Sequence, residues 1–327
     1  MAEQYLSVGE LDFDSLKSQL KSYLRTQNQF KDFDFEGSNM AAILDLLTYN
    51  TYINAYYLNQ VGSESFLDTA QLKESVVSHA KELNYTPRSR NSSRAVVNIS
   101  YEGNINDGTA IINKFTPFRS EVGSNTLVFS TDRDIVATND GTGTFIANNI
   151  TIFEGQVLTE FFDITSADEK IVLSSSNVDI DSIDVTIQNS LSDLSNTTFS
   201  KADNLFNLTP QSSVYFVQAY GTDKYEIEFG NNVTGKKLTP GNIVRIRYRD
   251  TLGEEGNGAR EFRSSNNLLS ATTVSRSSSG SERESIDSIR FNAPRVFSTQ
   301  ERAITVEDYK ALVKNKFPTI ETLNVIG

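Results

Sequence analysis

The 327-residue sequence contains no cysteine, no tryptophan and a single histidine, His79. Without cysteine the chain cannot form disulfide bonds or thiolate metal sites, and one histidine leaves almost no imidazole chemistry. The absence of tryptophan weakens any hypothesis of sugar binding, since sugars commonly stack on large aromatic faces. We therefore expect neither a cofactor nor a metal site.

Basic residues are too few to balance the acidic ones, because 30 Lys and Arg stand against 42 Asp and Glu, a formal charge of −12. Such a chain repels a phosphate backbone, so nucleic acid is not an expected partner. Residues 1–16 carry acids where a signal peptide carries basic residues, and no run approaches the roughly 20 apolar residues of a membrane span. We expect no membrane partner and no small-molecule substrate.

Residues 1–88 predict a helical, bundle-forming region. Apolar residues recur at three- and four-residue intervals behind Asp12, which is expected to cap a first helix. A second helix is expected from after Ser38 to about Val61. A third is expected to end near Asn84 and Pro87, with Asp68 or Thr69 as its cap.

From Arg94 onward the sequence is rich in Val, Ile, Thr, Phe and Tyr, broken by Gly, Asn, Asp and Ser, which is typical of short strands. The predicted strands are 94–101, 126–130, 143–147, 150–153, 157–163, 183–188, 213–219, 224–229 and 242–249. The serine-rich run 275–285 is interpreted as a loop or tether. Near the C-terminus, Thr305 is expected to cap a last helix that ends at Pro318.

These elements predict an α+β, multidomain protein, as its length also suggests. The expected segments are the helical region 1–88, a β-rich module 89–170, a second β-rich module 171–288, and the start of an α/β segment at 289–327.

The second predicted helix carries apolar and aromatic residues on two faces. At about 100° per residue, Ile43, Leu46, Leu47, Tyr57 and Val61 fall on one face, which could pack against the neighbouring helices. Three tyrosines fall opposite. They are either half-exposed in a thicker bundle or part of a partner-binding face, because tyrosine is enriched at interface hot spots. The candidate partner interface comprises Leu46, Tyr49, Tyr52, Ile53, Tyr56 and Tyr57.

The stretch FGNNVTGKK, residues 229–237, has the glycine and lysine spacing of a phosphate-binding loop. Lys237 stands where that motif requires Ser or Thr, and the following residues alternate like a strand instead of opening a helix. We interpret the stretch as a polar loop between two strands. Nucleotide hydrolysis through Lys236 is the alternative.

Other polar residues offer weaker candidates for chemistry. Glu226 and Glu228 are candidate carboxylates of an alternative function, a β-rich adhesin or carbohydrate-processing module on a fibre. A serine hydrolase built on His79 would need a nucleophile on a sharp turn, and no G-x-S-x-G occurs. Asp179 and Asp184 lie in NVDIDSIDV, which lacks the glycine and glutamate of a calcium loop, so acids on the outer face of a strand are expected. We therefore predict that the protein is not an enzyme.

Three blocks of sequence, in a fixed order, resemble one known family. The first runs from FDFEGSNMAAILDLLTYN to KELNYTPRS and resembles the N-terminal helical region of the baseplate wedge subunit of T-even-like contractile-tailed phages. The second, YEIEFGNNVTGKKLTPGNIVRIRYRD, resembles a glycine-punctuated hairpin of the wider baseplate J-like family. The third, APRVFSTQERAITVEDYKALVKNKF, is similar to a turn that leads into a helix and then a strand, here near Val325. The family's pattern continues beyond that strand, so the sequence is expected to be truncated at Gly327.

The resemblance implies a structural role in the virion, at the tail baseplate. Two copies of the subunit would associate with each other and with other wedge proteins through a helical bundle. Six wedges would form a ring around the tail hub and rearrange when the sheath contracts. In this family the FGNNVTGKK segment is a scaffold hairpin, with no nucleotide implied.

Overall fold

The computed structural model of the protein describes residues 12–27, 38–202, 205, 207–300, 302–317, 320 and 322–326. Its helices are α1 (Phe13–Arg25), α2 (Asn39–Glu64), α3 (Lys73–Glu82), α4 (Ile286–Thr299) and α5 (Val306–Lys316). Its strands are β1 (Arg94–Glu102), β2 (Thr109–Ile112), β3 (Pro117–Val122), β4 (Asn125–Thr131), β5 (Ile135–Asn139), β6 (Thr144–Glu154), β7 (Gln156–Asp163), β8 (Ile171–Val172), β9 (Val178–Gln188), β10 (Asn196–Lys201), β11 (Val214–Tyr220), β12 (Lys224–Phe229), β13 (Ile243–Asp250), β14 (Arg263–Ser264) and β15 (Leu269–Ser278). The predicted α+β class is confirmed.

The first two helices begin where the sequence predicts. The Asp12 carboxylate accepts a hydrogen bond from the Ser15 amide at 3.0 Å, and the Ser38 hydroxyl accepts one from the Ala41 amide at 3.0 Å. Each bond satisfies an amide that has no partner within its helix.

The predicted cap of the third helix is wrong. Helix α3 begins after Leu72, whose side chain makes no capping bond. The carboxylate of Glu64, at the end of α2, accepts hydrogen bonds from the Gln71 and Leu72 amides instead. A carboxylate from the preceding helix therefore replaces a local cap. Because Glu64 lies seven residues before Gln71, the residues next to α3 do not predict this contact.

The first sheet closes on itself. Its strands follow the order β1-β15-β14-β3-β4-β6-β5-β2, and β1 also pairs with β6, so six of the strands form a closed barrel. Closure removes the open strand edges of this part of the sheet. Alternate side chains fill its interior, among them the fully buried Ile99, Phe118, Leu127, Phe129 and Ile152.

The second sheet follows the order β7-β13-β9-β10-β11-β12-β8 and is antiparallel except for the β10–β11 pair. Its core is separate from that of the first sheet, and α3 and α4 contribute to it through Val76, Ala80, Ile289 and Ala293. The largest side chain fully buried in the molecule, Tyr248, belongs to this core. Two helices thus shield one face of the second sheet from water.

The second sheet is inserted into the chain between strands of the first. The chain passes from the first sheet to the second at Gly155, whose φ of +131° favours glycine. A Cβ at this position would lie 2.9 Å from the Cβ of Arg249. The chain returns to the first sheet at β14. The expected segment boundaries near residues 170 and 288 do not coincide with these changes, because β14 and β15 pair with strands far back in the sequence.

A polar joint connects the two sheets. Arg249 on β13 is 3% exposed, and its Nη2 donates to the Thr131 carbonyl on β4 at 3.0 Å. Glu154, at the end of β6, accepts a hydrogen bond from the Thr251 hydroxyl at 2.5 Å. Asp179 on β9 accepts one from the Ser92 amide at 3.1 Å. Burial raises the pKa of Glu154 and of Asp179 and lowers that of Arg249.

Two predictions for the last part of the chain need correction. The serine-rich run is not a loop throughout, since β15 extends to Ser278 and α4 begins at Ile286 despite Pro294 inside it. Among the described residues 322–326 no strand is formed, so the strand expected near Val325 is absent there. The predicted last helix is confirmed as α5, with Thr305 and Asp308 forming a reciprocal capping box. Pro318, its expected end, lies outside the described residues.

Candidate partner interface

Helix α2 buries one side, on which most side chains are small, and exposes large apolar side chains on the other. The buried positions are Ala41, Leu44, Thr48, Asn59 and Ser63. Spacings of three, four and multiples of these place them on one side of the helix. The opposite side carries exposed Ile43, Leu46, Leu47, Tyr57, Leu58 and Val61. The predicted packing of the Ile43–Val61 face against neighbouring helices is therefore wrong, because the chain covers the small-residue side instead.

Of the candidate interface residues, Leu46, Ile53 and Tyr57 lie on this exposed side, and Tyr49, Tyr52 and Tyr56 lie nearer the covered side. Leu46, Tyr49, Tyr56 and Tyr57 are exposed, whereas Tyr52 and Ile53 are half-buried. The rings of Tyr56 and Tyr57 meet edge to face, with their centroids 5.9 Å apart. Their role in binding a partner stays a prediction.

Charged groups are almost absent from α2. Its 26 residues include only Asp45 and Glu64, and no basic residue. Lys17 on α1 pairs with Asp45 at 2.5 Å, and Glu64 holds the start of α3. The exposed apolar side of α2 therefore has the composition of an interface core, from which charges are depleted.

Helix α1 adds to this apolar surface. It packs against α2 and is strongly amphipathic, yet none of its residues is fully buried. Tyr23 is exposed near its end. A two-helix hairpin that leaves so many apolar side chains in water differs from the usual surface of a monomer, on which such residues are scattered singly.

The glycine loop at 229–237 does not have a free phosphate cradle. The Val233 and Thr234 amides donate to the Asn231 side chain, and the Gly235 and Lys236 amides donate to the Thr209 and Ser212 carbonyls. A Cβ on Gly230 would lie 2.1 Å from the Gly235 carbonyl carbon, so the two glycines pack against each other. The loop leads to β13 and not to a helix.

The two candidate carboxylates of β12 are held in ion pairs. Lys81 of α3 contacts Glu226, which is buried, and Lys170 contacts Glu228. Each glutamate thus neutralises a lysine from another segment and joins that segment to β12. A structural role therefore accounts for both glutamates without a catalytic one.

His79 and the aspartates also have structural partners. The His79 Nε2 lies 2.8 Å from the Glu64 carbonyl oxygen and so ties α3 to α2. Asp184 pairs with Arg247 at 2.6 Å, whereas Asp179 is buried in the sheet joint and not on an outer face as expected. In the part of the chain that the structure describes, no group of three or more His, Asp or Glu is arranged to hold a metal ion. No helix there is long and apolar enough to cross a membrane.

A signal for the orientation of α2 was present in the sequence. Ala41, Thr48 and Ser63 recur on one side of a helix whose large apolar residues are Ile, Leu, Tyr and Val. Small side chains let a neighbouring segment approach closely, so this side could have been assigned to contacts within the chain. The large side chains would then have been assigned to a partner.

Comparison with known proteins adds two likenesses. Residues 12–85 match the family described as "Baseplate wedge protein gp6-like, helical domain". The "Baseplate wedge protein gp6" of Enterobacteria phage T4 is 24% identical over 339 residues, which cover 94% of this chain and 50% of that protein. The chain thus spans about half the length of this curated relative.

A solved structure also aligns with the chain. The cryo-EM structure of the anti-feeding prophage baseplate, 6-fold symmetrised, covers 94% of this chain and 57% of its own, with a TM-score of 0.33 and 13% identity. The expected resemblance to baseplate wedge subunits is confirmed by the helical family and the phage T4 protein.

Proposed function

Starting from this resemblance to baseplate wedge proteins, we propose that the chain is a structural subunit of a phage tail baseplate wedge and not an enzyme. The observation that carries the proposal is the exposed, almost uncharged side of α2. Fully burying one exposed Leu or Ile side chain in an interface contributes about 1.5–3 kcal/mol. Several such residues on one helix can therefore supply the free energy of a stable helical bundle.

In this role α1 and α2 provide the contact with partner chains, and the two β sheets provide a rigid body. Two copies would join within a wedge, together with other wedge proteins, and six wedges would surround the hub in the virion. The two separate cores support such a body, because each sheet is filled independently. Rearrangement on sheath contraction would then occur at the helical contacts between chains, where packing can switch between discrete arrangements.

The alternatives have less support. Nucleotide hydrolysis through Lys236 requires backbone amides that are already bonded within the protein. A carbohydrate-processing module based on Glu226 and Glu228 requires carboxylates free of the lysines that contact them.

The test is native mass spectrometry of the full-length protein, tagged and recovered from its infected host. We expect the wild type to appear as two copies joined to other tail proteins. Replacing Leu46, Tyr49, Tyr56 and Tyr57 together with glutamine should reduce the recovered complex by at least tenfold, because the change removes apolar area and keeps the helix.

A matched control removes exposed apolar side chains elsewhere. Ile111, Val136 and Phe161, on the two sheets, are as exposed as the α2 residues, and their replacement by threonine should leave the complex intact. Circular dichroism checks that both variants fold. A wild-type protein that is monomeric and free of tail proteins, or an unchanged complex with the α2 variant, would refute the proposal.

A further inference from the structure

Five basic side chains surround a small cleft at the junction of α3 with the second sheet. They are Lys73, Arg88, Arg90, Lys224 and Arg283. They come from four segments: the start of α3, the residues that follow it, the first residue of β12, and the residues before α4. We call this group the cationic cleft. Its charge distinguishes it from α2, which contains no basic residue.

The acids within the cleft do not balance its bases. Three carboxylates lie at the cleft or pair with its bases: Asp223, Glu282 and Glu284. Five positive charges less three negative ones leave a local excess of two. This excess stands out in a chain whose formal charge is −12.

Asp223 is shared by two of the bases. Its Oδ1 lies 2.6 Å from the Lys73 Nζ, and Arg283 contacts the same oxygen. Burial raises the pKa of this carboxyl, but hydrogen bonds from Lys73 and Arg283 outweigh burial, and the net shift is downward. One carboxylate therefore stays ionised between two cations and leaves one of them in excess.

Glu284 has little capacity left for Arg88. Its side chain is fully buried and accepts hydrogen bonds from the Tyr85 hydroxyl, the Arg88 amide and the Asn292 side chain. The Arg88 guanidinium stays at 3.9 Å. Among the described residues, no side chain or backbone carbonyl accepts a hydrogen bond from the Arg88 guanidinium. No carboxylate among them forms an ion pair with Lys224.

The cleft is held in place by buried contacts. The Tyr85 hydroxyl bonds both oxygens of Glu284, at 2.9 and 2.8 Å, and thereby joins the end of α3 to the start of α4. The Tyr225 hydroxyl donates to the Pro87 carbonyl at 3.1 Å. The bases therefore project from a fixed frame, which lowers the ordering cost of binding an anion.

We propose that the cationic cleft binds carboxylate side chains of an acidic segment of a partner protein. Arginine donors arranged in a fixed fork suit carboxylates, and charge-assisted hydrogen bonds are the strong ones. A polyanion such as nucleic acid is disfavoured, because the rest of the chain is acidic. A short acidic segment is not disfavoured in this way, because the acidic residues more than about 8–10 Å from it are screened at physiological salt. The proposal does not depend on the baseplate role.

The test measures binding of a rhodamine-labelled Glu-Glu-Asp-Glu peptide to the full chain by fluorescence anisotropy at low salt. A Gln-Gln-Asn-Gln peptide serves as the uncharged probe. We expect the acidic peptide to bind at least tenfold more tightly than the uncharged one. The Arg88→Gln/Lys224→Gln variant should weaken its binding by at least fivefold.

The matched control is Arg260→Gln/Arg276→Gln, which removes the same charge from exposed positions outside the cleft. It should change the affinity by less than twofold. Lys224→Gln alone, at an exposed position, keeps the test valid if the Arg88 variant fails to fold, and should weaken binding by at least twofold.

Three outcomes would overturn the proposal. Equal losses in the cleft and control variants would mean that only diffuse charge attracts the peptide. Displacement of the peptide by equimolar inorganic phosphate would mean that the cleft is a site for a free oxyanion instead of a protein segment. Absence of binding to the wild type would also refute it.

Discussion

Large apolar side chains lie inside the two sheets and outside helix α2. In the barrel, Phe118 and Phe129 are completely buried, and in the second sheet Tyr248 is. On α2, Leu46 and Val61 are 67% and 65% exposed, although Leu and Val are as apolar as the residues of the cores. The same side-chain chemistry therefore stabilises the fold in one region and is left in water in the other.

This difference indicates what each region does. A barrel that pairs its strands in a closed ring and fills its interior needs no other chain to be stable. A two-helix hairpin whose apolar residues remain exposed gains most of its burial from another surface, since isolated helices depend on packing for stability. The sheets are thus suited to serve as the rigid part of a subunit, and α1 and α2 as the part that assembles.

The largest expected effect comes from a core position of the barrel. Phe129 is fully buried, and its ring lies 4.9 Å from that of Phe262. Phe129→Ala should lower the free energy of unfolding by about 3–5 kcal/mol, through lost burial and the cavity left behind. Urea unfolding followed by circular dichroism measures this loss, since the chain has no tryptophan for fluorescence.

Val136→Ala is the control for this prediction, because Val136 lies in the same sheet and is 61% exposed. Its cost should stay below about 0.5 kcal/mol. A loss of less than 1 kcal/mol for Phe129→Ala would contradict the interpretation of the barrel as a self-sufficient core.

The second effect concerns the joint between the sheets. Arg249→Met keeps most of the side-chain length but removes the bonds to the Ser130 and Thr131 carbonyls and the cation near the Phe115 and Phe153 rings. We expect the free energy of unfolding, measured by urea unfolding, to fall by about 2–3 kcal/mol. The hydrogen bonds from a buried charge are lost, and Asp179 and Glu154 lose a nearby positive charge.

Arg245→Met on the same strand is the matched variant for the joint. Arg245 is half-buried and contacts the Thr186 hydroxyl at 3.3 Å within the second sheet. Its replacement should lower the free energy of unfolding by less than about 1 kcal/mol. Equal losses for the two arginines would show that the joint adds nothing beyond ordinary strand packing.

The sequence predicted the helices better than the sheet connections. Asp12, Ser38 and Thr305 cap helices as local pattern predicts, because a cap acts on amides within three residues. Helix α4 was missed, since Pro294 and the serine-rich run beside it are helix-breaking signals that its packing overrides. Pairing of β1 with β15 joins residues about 170 positions apart, and no local pattern encodes such a contact.

The candidate site was predicted in part, and its orientation was not. The six candidate residues do lie on α2, but apolar residues fall on every side of this helix, so hydrophobic periodicity alone could not decide which side the chain covers. Arg249 was missed for a related reason. It continues the alternation of Arg245 and Arg247, and both Arg247 and Arg249 lie over the Phe115 ring, but at Arg249 this face of β13 meets strand β4 of the first sheet. A contact between two sheets leaves no local pattern in the sequence.

The smallest expected effect tests the comparison most directly. Leu44 and Leu46 lie two residues apart on α2, but Leu44 is 3% exposed and Leu46 is 67% exposed. In the isolated chain, Leu44→Ala should cost about 2 kcal/mol or more, whereas Leu46→Ala should cost less than about 0.5 kcal/mol. The order should reverse when complex yield is measured, because Leu46 contributes its apolar area only to a partner. If Leu46→Ala lowers the stability of the isolated chain as much as Leu44→Ala does, the large side of α2 is already covered by the chain itself. The division between a rigid body and an assembling helix would then fail.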